Sequence, residues 1–200
     1  EYTREIGFKM DMKCFLGSLG VFNGDGSVVE GGTGELRKKE NLVNEMKEMV
    51  GSERFSVLMA VYAKEKPDFF DLALKSNLDY QSRKPDEFVL VCDGPLTRDL
   101  DSIIENYERK YPDCFKIYRL EKNQGLGNAL NFGLNKCSYE IVLRSDSDDV
   151  CDKNRFAIQV EFMEKNPDIA ICSSYIDEFD SDWTKPFEKK TLPLTHEELF

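Results

Sequence analysis

The sequence predicts an α/β fold in which a mostly parallel sheet carries helices on both faces. Two observations predict it. From Phe55 onwards, short apolar runs alternate with stripes of helical period, strand after helix after strand. The first two runs, FSVLMAVY at 55–62 and EFVLVC at 87–92, are apolar almost without a break. Strands covered on both faces read this way because neither side meets water.

Each element has its own signal. Phe55–Tyr62 is the first strand of the sheet. Pro67 and Asp68 open a helix, since a proline at the first helical position forfeits no bond and an acid there faces the positive end of the helix dipole. Its apolar face is Phe69, Phe70, Ala73, Leu74 and Leu78. Glu87–Cys92 is the second strand and stops at Asp93-Gly94. Leu100, Ile103, Ile104, Tyr107 and Tyr111 mark the next helix, and Phe115–Leu120 the third strand. A narrow stripe of Leu126, Ala129, Leu130, Gly133, Leu134 and Cys137 marks a third helix. Ile141-Val142-Leu143 is a buried fourth strand. Asp152–Lys165 is helical with Phe156, Val160 and Met163 inward, and Asp168–Ser174 reads as a fifth strand. Thr195 with Glu198 forms a capping box, so a helix begins at His196.

The first 54 residues are less regular. Phe22–Val29 reads as a turn between short strands, and Glu35–Val50 as an amphipathic helix. Residues 1–54 are expected to be an N-terminal extension or the tail of a preceding region, with the main domain over 55–200. The chain starts at Glu1 rather than Met, as expected of an excised part of a longer protein.

Composition narrows the function. The 200 residues are 40% hydrophobic and 32% charged, a globular balance with room for a sizeable core. With 27 basic and 38 acidic residues the net charge is −11, which disfavours nucleic acid, whose backbone needs clustered cations. No run approaches the roughly eighteen apolar residues of a membrane span. The six cysteines form no CxxC pair, and the single histidine, His196, speaks against zinc. Reduced cysteines in a cytoplasmic protein are the expectation.

The chemistry concentrates in YEIVLRSDSDDVCD at 139–152. Asp146, Asp148 and Asp149 follow directly on the fourth strand. Carboxylates this close repel one another unless something compensates them, and Mg²⁺ is suited to the task, taking one or two carboxylates and filling its other positions with water and phosphate oxygens. The alternative is a solvated acidic turn that caps the next helix. Three more loops are expected at the same edge of the sheet, because each follows the carboxyl end of a parallel strand: Tyr62-Ala63-Lys64, Asp93-Gly94, and Asn123-Gln124-Gly125-Leu126-Gly127. No GxGxxG follows the first strand and no GxxxxGK[ST] exists, against a dinucleotide dehydrogenase and a P-loop protein.

Phe55 to about Phe200 resembles the inverting glycosyltransferases of family 2, which have the Rossmann-like GT-A fold. The matching segments are SVLMAVY at 56–62, VLVCDGP at 89–95, EKNQGLGNALNFGL at 121–134, RSDSDD at 144–149 and NRFAIQVEFMEKNPDIAICSSYIDEF at 154–179. Within that family the chain is most similar to bacterial enzymes that build capsule, exopolysaccharide or O-antigen repeats. The resemblance implies a nucleotide-sugar donor, a UDP-sugar, and a glycan or lipid-linked acceptor. It places Val61 and Tyr62 at the nucleobase, Asp93 at the uracil or ribose, and Asn123 and Gly125 beside the nucleotide and sugar. Asp146 and Asp148 would be the D-x-D pair, with Asp146 towards ribose and metal and Asp148 a ligand of Mn²⁺ or Mg²⁺. Arg144 either assists the phosphates or pairs with Asp149.

Two residues depart from the family pattern. Ser145 stands where many relatives have Met, and Leu130 where many have Arg, which removes the phosphate contact of those members. The general base of the family lies well after the D-x-D, in a part expected beyond Phe200; Asp177 and Glu178 are the candidates within the chain. The domain is therefore expected to be truncated on its acceptor side. Localisation would be cytoplasmic, peripheral at the inner face of the plasma membrane. The rival readings are a haloacid-dehalogenase-type phosphatase using Asp146 and Asp148, and a non-catalytic nucleotide-sugar-binding module.

Overall fold

The computed structural model describes residues 7–11, 53–180 and 182–190. The turn expected at 22–29 and the helices expected at 35–50 and from His196 lie outside the described residues. Elements run β1 (Gly7–Asp11), β2 (Phe55–Val61), α1 (Pro67–Leu74), β3 (Glu87–Cys92), α2 (Arg98–Lys110), β4 (Phe115–Arg119), α3 (Leu126–Leu134), β5 (Ile141–Ser145), α4 (Arg155–Lys165), β6 (Tyr175–Phe179) and β7 (Glu188–Lys190).

The central sheet has the order β4-β3-β2-β5 and every pairing in it is parallel. All seven residues of β2 and all six of β3 are buried. Successive side chains point to opposite faces, and the two faces have separate cores. Val57, Met59, Val61, Leu90 and Cys92 pack with Phe70, Leu74, Leu100, Ile104, Phe156 and Val160 from α1, α2 and α4. Leu58, Ala60, Val89 and Val91 pack with Ala129 of α3. Fully burying one such aliphatic or aromatic side chain is worth about 1.5–3 kcal/mol, so these two faces hold the layers together.

At the amino edge of the sheet the buried Glu87 carboxylate ties four segments. It accepts from Ser56 Oγ of β2 (2.5 Å), Lys116 Nζ of β4 (2.5 Å), and both the backbone N–H (2.7 Å) and hydroxyl (2.8 Å) of Ser138 before β5.

Helix α1 continues into a π-helical turn, Lys75–Asp79, whose i→i+5 bond runs from the Tyr80 N–H to the Lys75 carbonyl at 3.0 Å. The wider turn buries Ser76, Asn77 and Leu78 together, which places two polar side chains beneath the carboxyl end of β5.

The fifth strand differs from its expected position. Residues 168–174 form no strand; pairing starts at Tyr175, and β6 lies between β1 and β7 in a separate antiparallel sheet. A ladder needs a partner, and the segment 170–173 instead walls an open cavity of about 1170 Å³ beside β5. Ile171 is 85% exposed there. Ala170, Ile171 and Cys172 of the apolar run DIAIC serve as cavity wall rather than as sheet interior.

Candidate active site

All four loops follow the carboxyl ends of parallel strands, as expected: after β2, β3, β4 and β5. Hydrogen bonds then join them in two pairs.

The loops after β3 and β4 form one unit. Asp93 is 4% exposed, and its two carboxylate oxygens accept the backbone N–H groups of Gln124 at 2.7 Å and Gly125 at 3.0 Å. Asn123 Nδ2 donates back to the Asp93 carbonyl at 3.2 Å. Two glycines make the approach possible. Gly94 has φ +89°, and a Cβ there would lie 2.6 Å from the Asn123 nitrogen; Gly125 has φ +87°. Side chains disfavour that region of φ, and at Gly94 a methyl would also strike backbone. Asn123 and Gly125 themselves are exposed at the mouth of the cleft.

The loops after β2 and β5 form a second unit. Val61 is buried at the strand end, and Tyr62, directly after it, is 44% exposed. Its carbonyl accepts the Glu65 N–H at 3.1 Å, closing a turn. Ser147 Oγ donates to Glu65 Oε2 across the gap at 2.5 Å. Glu65 was not visible as a site residue in the sequence, where it is one charge in the polar run Lys64-Glu65-Lys66.

Four carboxylates therefore crowd this end of the sheet. Burial, then Glu65, then Asp146 push the Asp148 carboxyl up from its ordinary value. Asp149 is pushed up to about 7 by burial and by Asp148 and Asp146, with Arg155 and Arg144 opposing. A site that raises carboxyl groups in this way holds more negative charge than its surroundings stabilise. Among the described residues no three such groups already converge as a cation cage. A cation that takes one or two carboxylates and keeps its other positions for water and phosphate oxygens fits that donor set.

Arg144 forms its ion pair with Asp146 rather than with Asp149. Neighbouring side chains on a strand point to opposite faces, so Arg144 and Asp146, two apart, share a side of the strand end. Beneath the acids lies a polar network. Ser145 Oγ donates to Asn77 Oδ1 at 2.7 Å, and Ser76 Oγ accepts the Cys151 N–H at 3.0 Å. Arg155, 6% exposed, reaches the same cluster from α4. Asn77, Arg155 and Gln159 were also missed. The signal for the last two was the buried stripe of α4: 155 and 159 fall on the same face as Phe156, Val160 and Met163.

Asp177 and Glu178 sit on β6 and are buried, 9% and 3% exposed. Glu178 is ion-paired with Lys190 of β7. Ile176 lines the cavity shared with Asp146 and Asp149, whereas neither acid does.

The chain is similar to known proteins. It is 46% identical over 127 residues to the UDP-Gal:alpha-D-GlcNAc-diphosphoundecaprenol beta-1,3-galactosyltransferase of Escherichia coli, covering 64% of this chain and 45% of that protein. It is 39% identical over 145 residues to the amylovoran biosynthesis glycosyltransferase AmsE of Erwinia amylovora, covering 72% and 53%. The chain thus spans about half the length of the curated relatives it matches. In fold it is similar to the mannosyltransferase PcManGT from Pyrobaculum calidifontis, solved with GDP-Man and Mn²⁺, at a TM-score of 0.50 and 19% identity over 62% of this chain and 39% of that one. The family model for glycosyl transferase family 2 matches residues 56–199, the stretch that holds all four loops, and the chain belongs to that family, with its α/β GT-A fold.

Proposed function

We propose that the protein transfers a sugar from a UDP-sugar to a hydroxyl of a lipid-linked glycan, with inversion and with a divalent cation, in the synthesis of a surface polysaccharide. One observation carries this reading: the acid loop 146–149 and the Asp93–Asn123 loop pair stand at the same carboxyl edge of one parallel sheet, where an open α/β sheet takes its ligand. The name of the Escherichia coli relative, with a UDP-sugar donor and a diphosphoundecaprenol-linked acceptor, supports the choice of substrates.

In this reading Val61 and Tyr62 border the base, and Asp93 orders the loop whose Asn123 and Gly125 flank the ribose and sugar. Asp146 and Asp148 would hold Mn²⁺ or Mg²⁺, which supplies positive charge to the diphosphate as it departs. Arg144, already beside Asp146, adds a guanidinium to the same place. The acceptor oxygen attacks the anomeric carbon, the bond from that carbon to the diphosphate oxygen breaks, and UDP leaves. The acceptor's proton passes to a carboxylate base; Asp177 and Glu178, the candidates in this chain, lie outside the lining of the cavity that holds Asp146 and Asp149, and Glu178 is ion-paired with Lys190. Among the described residues no helix is long and apolar enough to cross a membrane; we place the protein in the cytoplasm, peripheral to the membrane that carries its acceptor.

A thermal-shift screen of UDP, UDP-Gal, UDP-GlcNAc and GDP-Man, each with and without Mn²⁺, tests the reading, since a ligand selective for the native state raises its stability. Stabilisation by UDP compounds only with Mn²⁺ is expected. Stabilisation independent of the cation, or by none of the four, would overturn it.

A further inference from the structure

A buried guanidinium lies beside the two ends of the acid loop. The Arg155 side chain spreads over four acceptors: Gln159 Oε1 from Nε at 3.0 Å, Ser145 Oγ and Cys151 Sγ from Nη1 at 2.8 and 3.1 Å, and the Arg144 carbonyl from Nη2 at 2.6 Å. Two of these, Arg144 and Ser145, are the last residues before the acids; Cys151 is among the first after them. One side chain therefore holds both ends of the loop 146–150. None of the four partners is a carboxylate, and among the described residues Arg155 forms no ion pair. Asp149 feels its charge without bonding to it, so the guanidinium is buried among neutral partners, which is costly, and a fold that only needed to pack α4 would have an apolar residue beside Phe156 and Val160. Asp146, Asp149 and Arg155 also line one cavity, so the guanidinium and two of the acids border the same space.

We propose that Arg155 is a positioning residue: it clamps the two ends of the acid loop and so sets the geometry in which Asp146 and Asp148 hold the divalent cation, without itself touching substrate. The inference rests on the cation-dependent function proposed above. The chemistry favours arginine at this place, because its planar fork offers five donors on three nitrogens. The single nitrogen of a lysine cannot span Gln159, the Arg144 carbonyl and Cys151 together.

Arg155→Lys, which keeps the charge and loses the fork, is the first test. Two measurements are made on the full chain: hydrogen exchange of amides 146–151 compared with those of β2 and β3, and the Mn²⁺ concentration giving half-maximal UDP binding. Faster exchange confined to the loop is expected, with the Mn²⁺ midpoint raised about tenfold or more, the loss typical when a residue supporting a metal ligand is removed. An unchanged midpoint overturns the proposal, whatever the exchange does, because a merely structural arginine would alter stability and leave cation affinity of the folded protein alone. Should Arg155→Lys fail to fold, Ser145→Ala decides by the same two measurements, since it removes one of the two contacts at the leading end of the clamp and keeps Arg155 itself. A wild-type chain that binds UDP without regard to Mn²⁺ overturns the proposed function and this inference with it, whereas a cation-dependent wild type with unchanged variants overturns the inference alone.

Discussion

Ser147 donates its hydroxyl hydrogen to Glu65, and that bond joins the loop after β2 to the loop after β5. The two strands are already neighbours in the sheet, so the bond extends their pairing beyond the last ladder position into the cleft. It also places a fourth carboxylate near Asp148. Replacing Glu65 with Gln removes that charge. The Asp148 carboxyl, now raised in part by Glu65, is expected to titrate lower, and an NMR titration of the side-chain carboxyl carbons would show it. An Asp148 titration identical to that of the wild type would mean that the two loops are not electrostatically coupled.

Asp148→Ala is expected to abolish the Mn²⁺-dependence of UDP binding and leave the fold intact, since Asp148 is exposed at the cleft and makes no packing contact that the core needs. Calorimetric titration of UDP with and without Mn²⁺, beside a far-UV spectrum, checks both halves. Unaltered cation dependence would remove Asp148 from the metal site.

Asp93→Ala has two effects to separate. It removes the carboxylate that accepts the Gln124 and Gly125 N–H groups, and a hydrogen bond to a charged group is worth about 1.5–3 kcal/mol. It should also weaken UDP, because the loop bearing Asn123 loses its order. Urea denaturation without ligand reads the first effect, and UDP titration of the folded variant reads the second. Loss of stability with unaltered UDP affinity would make Asp93 a loop anchor only.

Glu87 gives the acid limb of stability. Burial acts to raise its carboxyl, but the Lys116, Ser56 and Ser138 bonds outweigh burial and hold it down at about 2, against an ordinary 4.5. A depressed carboxyl stabilises the fold fully above its unfolded value and loses that contribution as pH falls from about 4.5 through about 2. The difference corresponds to about 3 kcal/mol. Glu87→Gln should therefore be destabilised relative to wild type at pH 7, and the gap should close by pH 2. A gap of equal size at both pH values would show that lost packing, rather than lost charge, accounts for it.

Asp149 has the opposite sign. Its carboxyl is raised to about 7, so in the absence of a cation its ionisation destabilises the fold, progressively as pH rises from the ordinary carboxylate range to about 7. Asp149→Asn should stabilise the cation-free protein at pH 8 and have little effect below pH 4. A variant no more stable at pH 8 than the wild type would contradict this assignment.

The regular part of the fold was legible because β2 and β3 are buried on both faces, and burial on both faces leaves an unbroken apolar run. Helix α2 was legible from its five apolar positions. The segment 168–174 was misleading for a related reason: apolar residues lining a cavity and apolar residues inside a sheet have the same composition, and only a pairing partner tells them apart. In the site, the acids were visible because three carboxylates in four residues need a reason. Glu65, Asn77 and Arg155 were not. Glu65 and Asn77 are ordinary residues in their local sequence, and Arg155 had only its place on the buried stripe of α4; the importance of each comes from a contact some ten to eighty positions away, as between Glu65 and Ser147 or between Asn77 and Ser145.

The π-helical turn at 75–79 makes chain length part of the specification of the cleft. A regular α-helix advances about 100° per residue, and the wider turn takes up one residue more than an α-turn would. Deleting a single residue there would restore an ordinary helix, keep the apolar faces of the sheet covered, and swing Ser76 and Asn77 away from Cys151 and Ser145. The hydrophobic layers would survive the shortening while the acids lost the floor on which they stand. Substitutions in this segment can be judged by chemistry, but insertions and deletions must be judged by register, and a tolerance of zero is expected.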